Sequence, residues 1–357
     1  VTTPALTPVG DHPLGGDLDE IVHAAGRDLA ALAGGRLLLT GGTGFFGTWL
    51  VETFAAAGRA GTGPAEVVVM ARHPERLGIV APHAMASPNV VIVAGDVRRP
   101  PADLGRFDGV IHAATPARAT LNAGDPREML DICVSGTQCI LDLVASSGPI
   151  PFLLVSSGAV YGRQDPVLLR VPEDHRDGPD PLATANAYAE GKRMAELLGA
   201  IAAERHGTAV KVARPFAFAG PHLPLDQHFA AGNFLADAVA GRPIEITGDG
   251  TTVRSYQYPT DLVISLLAVL VRGRVGRAYN VGAEDEVSMT ELAGLAAAVA
   301  DPPVPVTVRG TPALGNLPER YVPSTARIRS ELGVDPAVPL AEGLRRWAAW
   351  LRGPGAH

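Results

Sequence analysis

Cysteine is nearly missing from this chain. Its 357 residues include two, Cys133 and Cys139. They lie six apart in an expected helix, a spacing that turns them onto different faces and excludes a disulfide framework or a metal site. The reading is a protein of the reducing cytoplasm with no bound metal. An excess of positive charge is missing too: 30 Lys and Arg stand against 37 Asp and Glu, for a net charge of −7. That balance argues against nucleic acid or an anionic membrane as the partner, so any phosphate must be held by local basic sites. No apolar run reaches the length of a membrane span, and no basic segment leads into an apolar core at the N-terminus, so neither insertion nor secretion is expected. What remains is the composition of a soluble enzyme, 46% hydrophobic and 19% charged. The length suits one large doubly wound domain carrying a smaller lobe.

The positive signal begins at Arg36–Trp49, RLLLTGGTGFFGTW. Leu37, Leu38 and Leu39 are a short apolar run of the kind buried on both faces of a parallel sheet. Gly41, Gly44 and Gly47 follow. One permits a tight turn, one lets the backbone approach a pyrophosphate, and one lets helix and strand pack closely, while the helix N-terminus offers free N–H groups to the anion. An apolar helix over Trp49–Ala57 completes the strand–turn–helix of a dinucleotide site. Strands at Glu66–Met70, Val90–Val93, Val110–Ala113, Phe152–Val155 and Ala209–Ala213 alternate with helices, the longest at Asp125–Ser147 and Asn186–His206. The expected fold class is therefore α/β, a doubly wound Rossmann-type parallel sheet with a smaller C-terminal substrate lobe. Residues 1–34 read as an N-terminal tail and helix, with a mobile stretch to residue 16 and a packing helix over Asp17–Leu32. Residues 35–215 read as the dinucleotide-binding domain, and 216–357 as a substrate lobe interleaved with late sheet elements, closing on a helix at Pro339–Leu351.

Tyr188 and Lys192, in NAYAEGKRMAELL, are four apart and share one helical face. A phenol beside a lysine is an acid–base device, because the ammonium is expected to lower the phenol's pKa. Upstream, FLLVSSGAVYG is an apolar strand ending at Ser156 and Ser157, at the carboxyl edge where open α/β sheets bind ligands. With TGGTGFFG, VSSGAVYG, YAEGK and RPFAFAGP in this order, residues 35 to 350 resemble the extended short-chain dehydrogenase/reductases that modify nucleotide sugars, the NAD-dependent epimerase/dehydratase family. The resemblance implies catalytic roles for Ser157, Tyr188 and Lys192, with Ser156 structural. It implies cofactor contacts along the glycine turn at Gly41, Thr43, Gly44, Phe45, Phe46 and Gly47. Asp96 is implied as the adenine partner with Val97 beside it, and His112 and Ala113, Ala114 and Thr115 as the stretch running beside the cofactor. Pro215, Tyr188 and Lys192 complete that set. On the sugar side it implies Asn233 and Arg254 at the diphosphate, with Ser157 and Gly158 beside the sugar; Arg118 and His222 lie in segments that could line its pocket. Tyr256, Tyr258 and Asp261 are expected to anchor a loop and cap the helix Asp261–Arg272. Arg254 could equally pair with Asp249.

Three departures shape the functional reading. No acidic residue ends the second strand, where one would bind the ribose 2′-hydroxyl of NAD; Arg72 stands there and suits a 2′-phosphate, so NADP or NAD is expected, with a tilt towards NADP. Cys133 replaces the asparagine of the family's NVxGT helix, and packing is its expected role. Nucleotide-sugar 4,6-dehydratases usually carry an acid just after the catalytic Ser/Thr, and here those positions are Gly158 and Ala159. The expected activity is thus an epimerase acting on a nucleotide-diphosphate sugar through a keto intermediate. The alternatives are an NADPH-dependent keto-sugar reductase, a pyranose/furanose mutase, a 4,6-dehydratase and a non-catalytic nucleotide sensor. By resemblance a homodimer forms through the two long helices.

Overall fold

A computed structural model describes residues 12–115, 124–225, 229–313, 315 and 317–353. The chain opens with two short helices, α1 (Gly15–Ala24) and α2 (Gly26–Ala31). Then β1 (Arg36–Thr40), α3 (Phe45–Arg59), β2 (Glu66–Ala71), single-turn α4 (Leu77–Val80) and α5 (Pro82–Met85), and β3 (Val90–Ala94) form the first winding. The second runs through β4 (Gly109–His112), α6 (Pro126–Val144), β5 (Pro151–Val155), α7 (Ala187–His206) and β6 (Ala209–Pro215). These strands, with the late β9 (Ala278–Val281), make a seven-stranded sheet in the order β3-β2-β1-β4-β5-β6-β9, every pair parallel.

The leucine run of β1 shows why this sheet is buried on both sides. Leu37 and Leu39 face one layer with α3, whereas Leu38 between them faces the layer holding α6 and α7, as the two-residue period of a strand requires. The strand order reverses between β1 and β4, so the carboxyl ends of those strands open a crevice, the usual ligand position in such sheets.

After β6 the chain builds a second cluster before and after β9. It contains α8 (Ala230–Val239), β7 (Ile244–Ile246), β8 (Val253–Ser255), β10 (Glu286–Ser288), α10 (Met289–Ala297), β11 (Val306–Val308) and β12 (Arg320–Tyr321). Phe234, Leu235, Ile244, Leu292 and Trp347 form its buried core. Between β8 and β9, helix α9 (Pro259–Arg272) packs Leu262, Leu266 and Val269 into the sheet's own core. The chain ends in α11 (Ala326–Leu332) and α12 (Leu340–Arg352).

The N-terminal segment departs from expectation. Residues 1–11 lie outside the described residues, but the expected tail does not extend to residue 16: Leu14 is buried, and the His12 Nε2–H donates to the buried Glu52 at 3.1 Å. The single expected helix is broken at buried Ala25 (ψ 8°), just before Gly26. Asp17 accepts from Tyr258 at 2.7 Å and from Arg346 at 2.8 Å, and Asp28 pairs with Arg272 at 2.8 Å. The segment thus ties α9 to α12. The helix 126–147 has the length and apolar composition to cross a membrane, contrary to the expectation that no run does; here Met129, Ile132, Ile140 and Val144 are buried in the sheet layer it shares with α7.

Candidate active site

The glycine turn behaves as three separate devices. Gly41 has φ 79°, and a Cβ there would come within 2.7 Å of the Ala113 carbonyl and 2.8 Å of Ala114 Cα, so the ends of β1 and β4 can meet only over glycine. A Cβ at Gly47 would lie 2.1 Å from the Gly41 oxygen, which fixes the close packing of α3 on the turn. Gly44 is exposed; its Cβ would meet only the Gly41 oxygen at 3.4 Å. It is also the N-cap of α3 and, as a glycine, brings no side-chain cap to the first N–H groups of the helix, those of Phe45 and Phe46 beside Thr43. Phe45 and Phe46 each pack a ring 4.7 Å from that of Phe218. A cradle of open amide groups with no side chain in it fits a pyrophosphate.

At the far rim, Asp96 holds Arg98 through both carboxylate oxygens, at 3.0 and 2.7 Å. That contact, above all, holds its carboxyl below the usual range, and the Arg72 charge adds to the effect. Arg72 and Asp96, expected at the two sides of an adenosine, are thus within electrostatic reach. Val97 is buried against α6, where a Cβ on Gly136 would meet it at 2.7 Å. Pro215 ends β6.

Ser157, Tyr188 and Lys192 converge where β5 ends and α7 begins. Ser157 caps a short 3-10 turn, its hydroxyl accepting from the Ala159 N–H at 3.1 Å. Burial pushes the Tyr188 phenol up to about 12, opposed by hydrogen bonding with Ser157. The lowering expected from Lys192 is absent: its ammonium donates to the Val155 carbonyl at 2.7 Å and sits 5.9 Å from the Tyr188 ring centre, and desolvation dominates the phenol. Burial also lowers the Lys192 pKa. Cys133 is buried, its thiol pushed up by desolvation while the Lys192 charge and a Thr115 hydrogen bond pull the other way. It also packs on α7, since a Cβ at Gly191 would fall 2.8 Å from Cys133 Cβ.

Beneath the crevice, Thr40 Oγ1 contacts His112 Nδ1 at 2.8 Å, and His112 Nε2 contacts Thr137 Oγ1 at 3.2 Å. Because Thr137 itself donates to the Cys133 carbonyl, Nε2 carries the ring proton. Burial, aided by the Lys192 charge, lowers the His112 pKa to about 3, so the imidazole is neutral. Behind Ser157, Ser156 donates to Glu196 at 2.6 Å, and Arg214 reaches both Glu196 oxygens and the Tyr161 hydroxyl.

On the other wall, Arg254 lies on β8 with no ion-pair partner among the described residues. Asp249 instead accepts from the Thr251 N–H and hydroxyl. Arg254 sits 5.6 Å from the ring centre of Tyr321, its register partner on β12. Asn233 is exposed early in α8, while Arg118 lies outside the described residues. His222 is not placed as a pocket group: it packs between Trp49 and Trp350 at φ 70°, its pKa lowered to about 4 by burial. Asp261 does not cap its own helix; it accepts from the N–H groups of Ala337 and Val338. The residue that sequence reading missed is Tyr321, whose phenol is hydrogen-bonded with Ser157 and lies within electrostatic reach of Tyr188. No motif marks it, because its position depends on pairing between two strands of three and two residues.

Comparison with known proteins agrees with this geometry. The model of the NAD dependent epimerase/dehydratase family matches residues 37–282. UDP-glucuronic acid decarboxylase 1 of Arabidopsis thaliana is 31% identical over 317 residues, covering 89% of this chain and 70% of that protein. The dTDP-glucose 4,6-dehydratase of Streptomyces griseus is 30% identical over 324 residues, 88% of this chain and 93% of that one. Among solved structures, the dTDP-glucose 4,6-dehydratase DesIV of Streptomyces venezuelae, with NAD and TYD bound, superposes with a TM-score of 0.72 at 27% identity, covering 89% and 97% of the two chains. UDP-glucose 4-epimerase of Thermotoga maritima shares the fold, with a TM-score of 0.74 at 21% identity over 89% and 98%. The chain is an enzyme of the extended short-chain dehydrogenase/reductase class and belongs to the NAD dependent epimerase/dehydratase family.

Proposed function

We propose that this enzyme is a nucleotide-sugar epimerase that uses NAD to oxidise one sugar hydroxyl transiently and then reduce the ketone from its opposite face. The observation that carries the reading is the pairing of Ser157 with Tyr188 beside a turn whose next two residues, Gly158 and Ala159, bear no carboxylate. Eliminating water requires a base beside the serine, and positions 158 and 159 are Gly and Ala. NAD, when bound, supplies a reversible hydride acceptor; the glycine cradle takes its pyrophosphate, and Asp96 with Val97 its adenosine. NAD is preferred over NADP because a 2′-phosphate at Arg72 would set its charge beside the Asp96 carboxylate.

In this reading Ser157 holds the reacting hydroxyl and Tyr188 takes its proton as the carbon is oxidised, returning it on reduction. Lys192, anchored on the Val155 carbonyl, supplies positive charge beside the phenol and the cofactor ribose, with Ala113, Ala114, Thr115 and Pro215 lining the cofactor. Arg254 and Asn233 engage the diphosphate, with Arg118 and Gly158 towards the sugar. The functional division at residues 35–215 and 216–357 follows these two ligands. The exposed Leu130 on α6 and Met194, Leu197 and Ile201 on α7 support a homodimer through those helices.

A second reading, decarboxylation of a nucleotide uronic acid, is favoured by the relative in Arabidopsis thaliana. Oxidation beside the carbon bearing the carboxylate gives a β-keto acid, which loses CO2 without a base at position 158 or 159. The test is incubation with NAD and, in turn, UDP-glucose, dTDP-glucose and UDP-glucuronic acid, followed by mass and NMR analysis. A product of unchanged mass and inverted carbon supports the epimerase. Loss of CO2 supports the second reading, and loss of water overturns both.

A further inference from the structure

Tyr321 is the unexplained group in the crevice. It enters from the lobe opposite Ser157, on a two-residue strand fixed by its pairing with β8 and by the Arg320–Glu286 ion pair. Phe216 packs 4.6 Å from its ring at 33°, and Arg254 covers it at 5.6 Å. The hydroxyl end is directed at the turn carrying Ser157: a Cβ built on Gly158 would stand 2.6 Å from Tyr321 Oη and 2.8 Å from the Phe216 ring. Gly158 is therefore the counterpart of this phenol. The volume that any side chain at position 158 would need is already filled by a hydroxyl group from a distant strand.

Three facts give that hydroxyl a ligand-facing role. Tyr321 and Tyr188 each keep part of their surface accessible, although desolvation raises both phenols. Both phenols act on the one hydroxyl of Ser157. The third is Arg254, lying over the same ring without an ion-pair partner among the described residues. A sugar whose reacting hydroxyl lies between Ser157 and Tyr188, and whose diphosphate meets Arg254, must pass across the Tyr321 hydroxyl.

We propose that Tyr321 is a substrate-contacting, specificity-determining residue, its phenol occupying the space that Gly158 leaves and hydrogen-bonding a sugar oxygen adjacent to the one held by Ser157 and Tyr188. This rests on the nucleotide-sugar reading above. As a neutral donor and acceptor the phenol selects for a hydroxyl at that position and cannot serve there as a carboxylate base.

The experiment is calorimetric binding to the NAD-loaded protein, with UDP and UDP-glucose, and with dTDP and dTDP-glucose, as paired probes. For Tyr321→Phe, which keeps the ring between Phe216 and Arg254, the sugar nucleotide is expected to bind about five- to tenfold more weakly, with the nucleoside diphosphate unchanged. Gly158→Ala, which drives a methyl into the phenol, is expected to give the same selective loss, and the double variant no more than either alone. Equal loss for diphosphate and sugar nucleotide would mean that the ring serves only Arg254, and no loss would mean that the hydroxyl touches nothing; either overturns the proposal. A wild-type protein that binds none of the four probes refutes the nucleotide-sugar reading itself, an outcome distinct from both.

Discussion

Ser156 donates its hydroxyl to Glu196 at 2.6 Å, so the serine next to Ser157 is fastened to the helix that carries Tyr188 and Lys192. Arg214 holds the same carboxylate from β6 at 2.6 Å, and both partners are largely buried. Removing one member leaves the other without its counter-charge. Glu196→Ala is expected to lower stability by about 3 kcal/mol, measured by urea unfolding. A variant as stable as the wild type would remove this pair from the account of how the site is held.

Tyr188→Phe tests the acid–base assignment. Loss of a positioned proton-transfer group is expected to reduce turnover by about two to four orders of magnitude, while bound NAD stays at wild-type stoichiometry. Full activity in this variant would assign the proton to another group.

Gly191 sits where α7 touches α6. Gly191→Ala places a methyl 2.8 Å from Cys133 Cβ, and overpacking of this kind is expected to cost about 1–3 kcal/mol. The pairing with Cys133→Ala is informative, because the second change makes room at the sulfur and should recover part of the loss.

Acidification should destabilise the fold through its buried imidazoles. His222 titrates at about 4 when folded against 6.5 for the free group, and His112 at about 3. Between those values the unfolded chain binds protons that the folded one refuses, so stability is full above about pH 6.5 and falls as pH drops towards 4. His222→Asn removes one titrating ring and tolerates φ 70°. Its unfolding free energy, measured from pH 7 to pH 4, should decline less steeply than that of the wild type. An unchanged slope would mean that His222 takes up its proton in the folded chain as readily as in the unfolded one.

The exposed faces of α6 and α7 can be probed in the same way. Leu197→Glu puts a charge on the most exposed of the apolar residues named there, 53% accessible. Light scattering after gel filtration is expected to show a dimer for the wild type and a monomer for the variant; a monomeric wild type would exclude the proposed association.

Much of the sheet was legible because its strands are short apolar runs whose two faces are both buried, as at Leu37–Leu39. The glycine turn was legible because Gly41 and Gly47 each answer a steric demand that arises within a few residues. The break at Ala25 was not, since residues on both sides suit a helix and only tertiary packing decides where it bends. Tyr321 and the true surroundings of His222 were hidden for a related reason. One is delivered by a strand pairing with no local signature, and the other is enclosed by Trp49 and Trp350 from distant parts of the chain. The expected effect of Lys192 on Tyr188 failed on magnitude, because spacing announces that two groups share a face and says nothing of how strongly each is desolvated.

The clasp made by α1 and α2 has a practical side. A dinucleotide-binding fragment cut at residue 35 would keep every glycine of the cradle, yet it would strip Leu18, Ile21 and Leu29 from the apolar layer under α3 and leave Arg272 without Asp28. The proposed cofactor cradle starts at β1, whereas the apolar layer that supports it already includes Leu14 and Leu18. Anyone trimming this enzyme for expression, or fusing a partner ahead of it, should treat the stretch before the first strand as foundation.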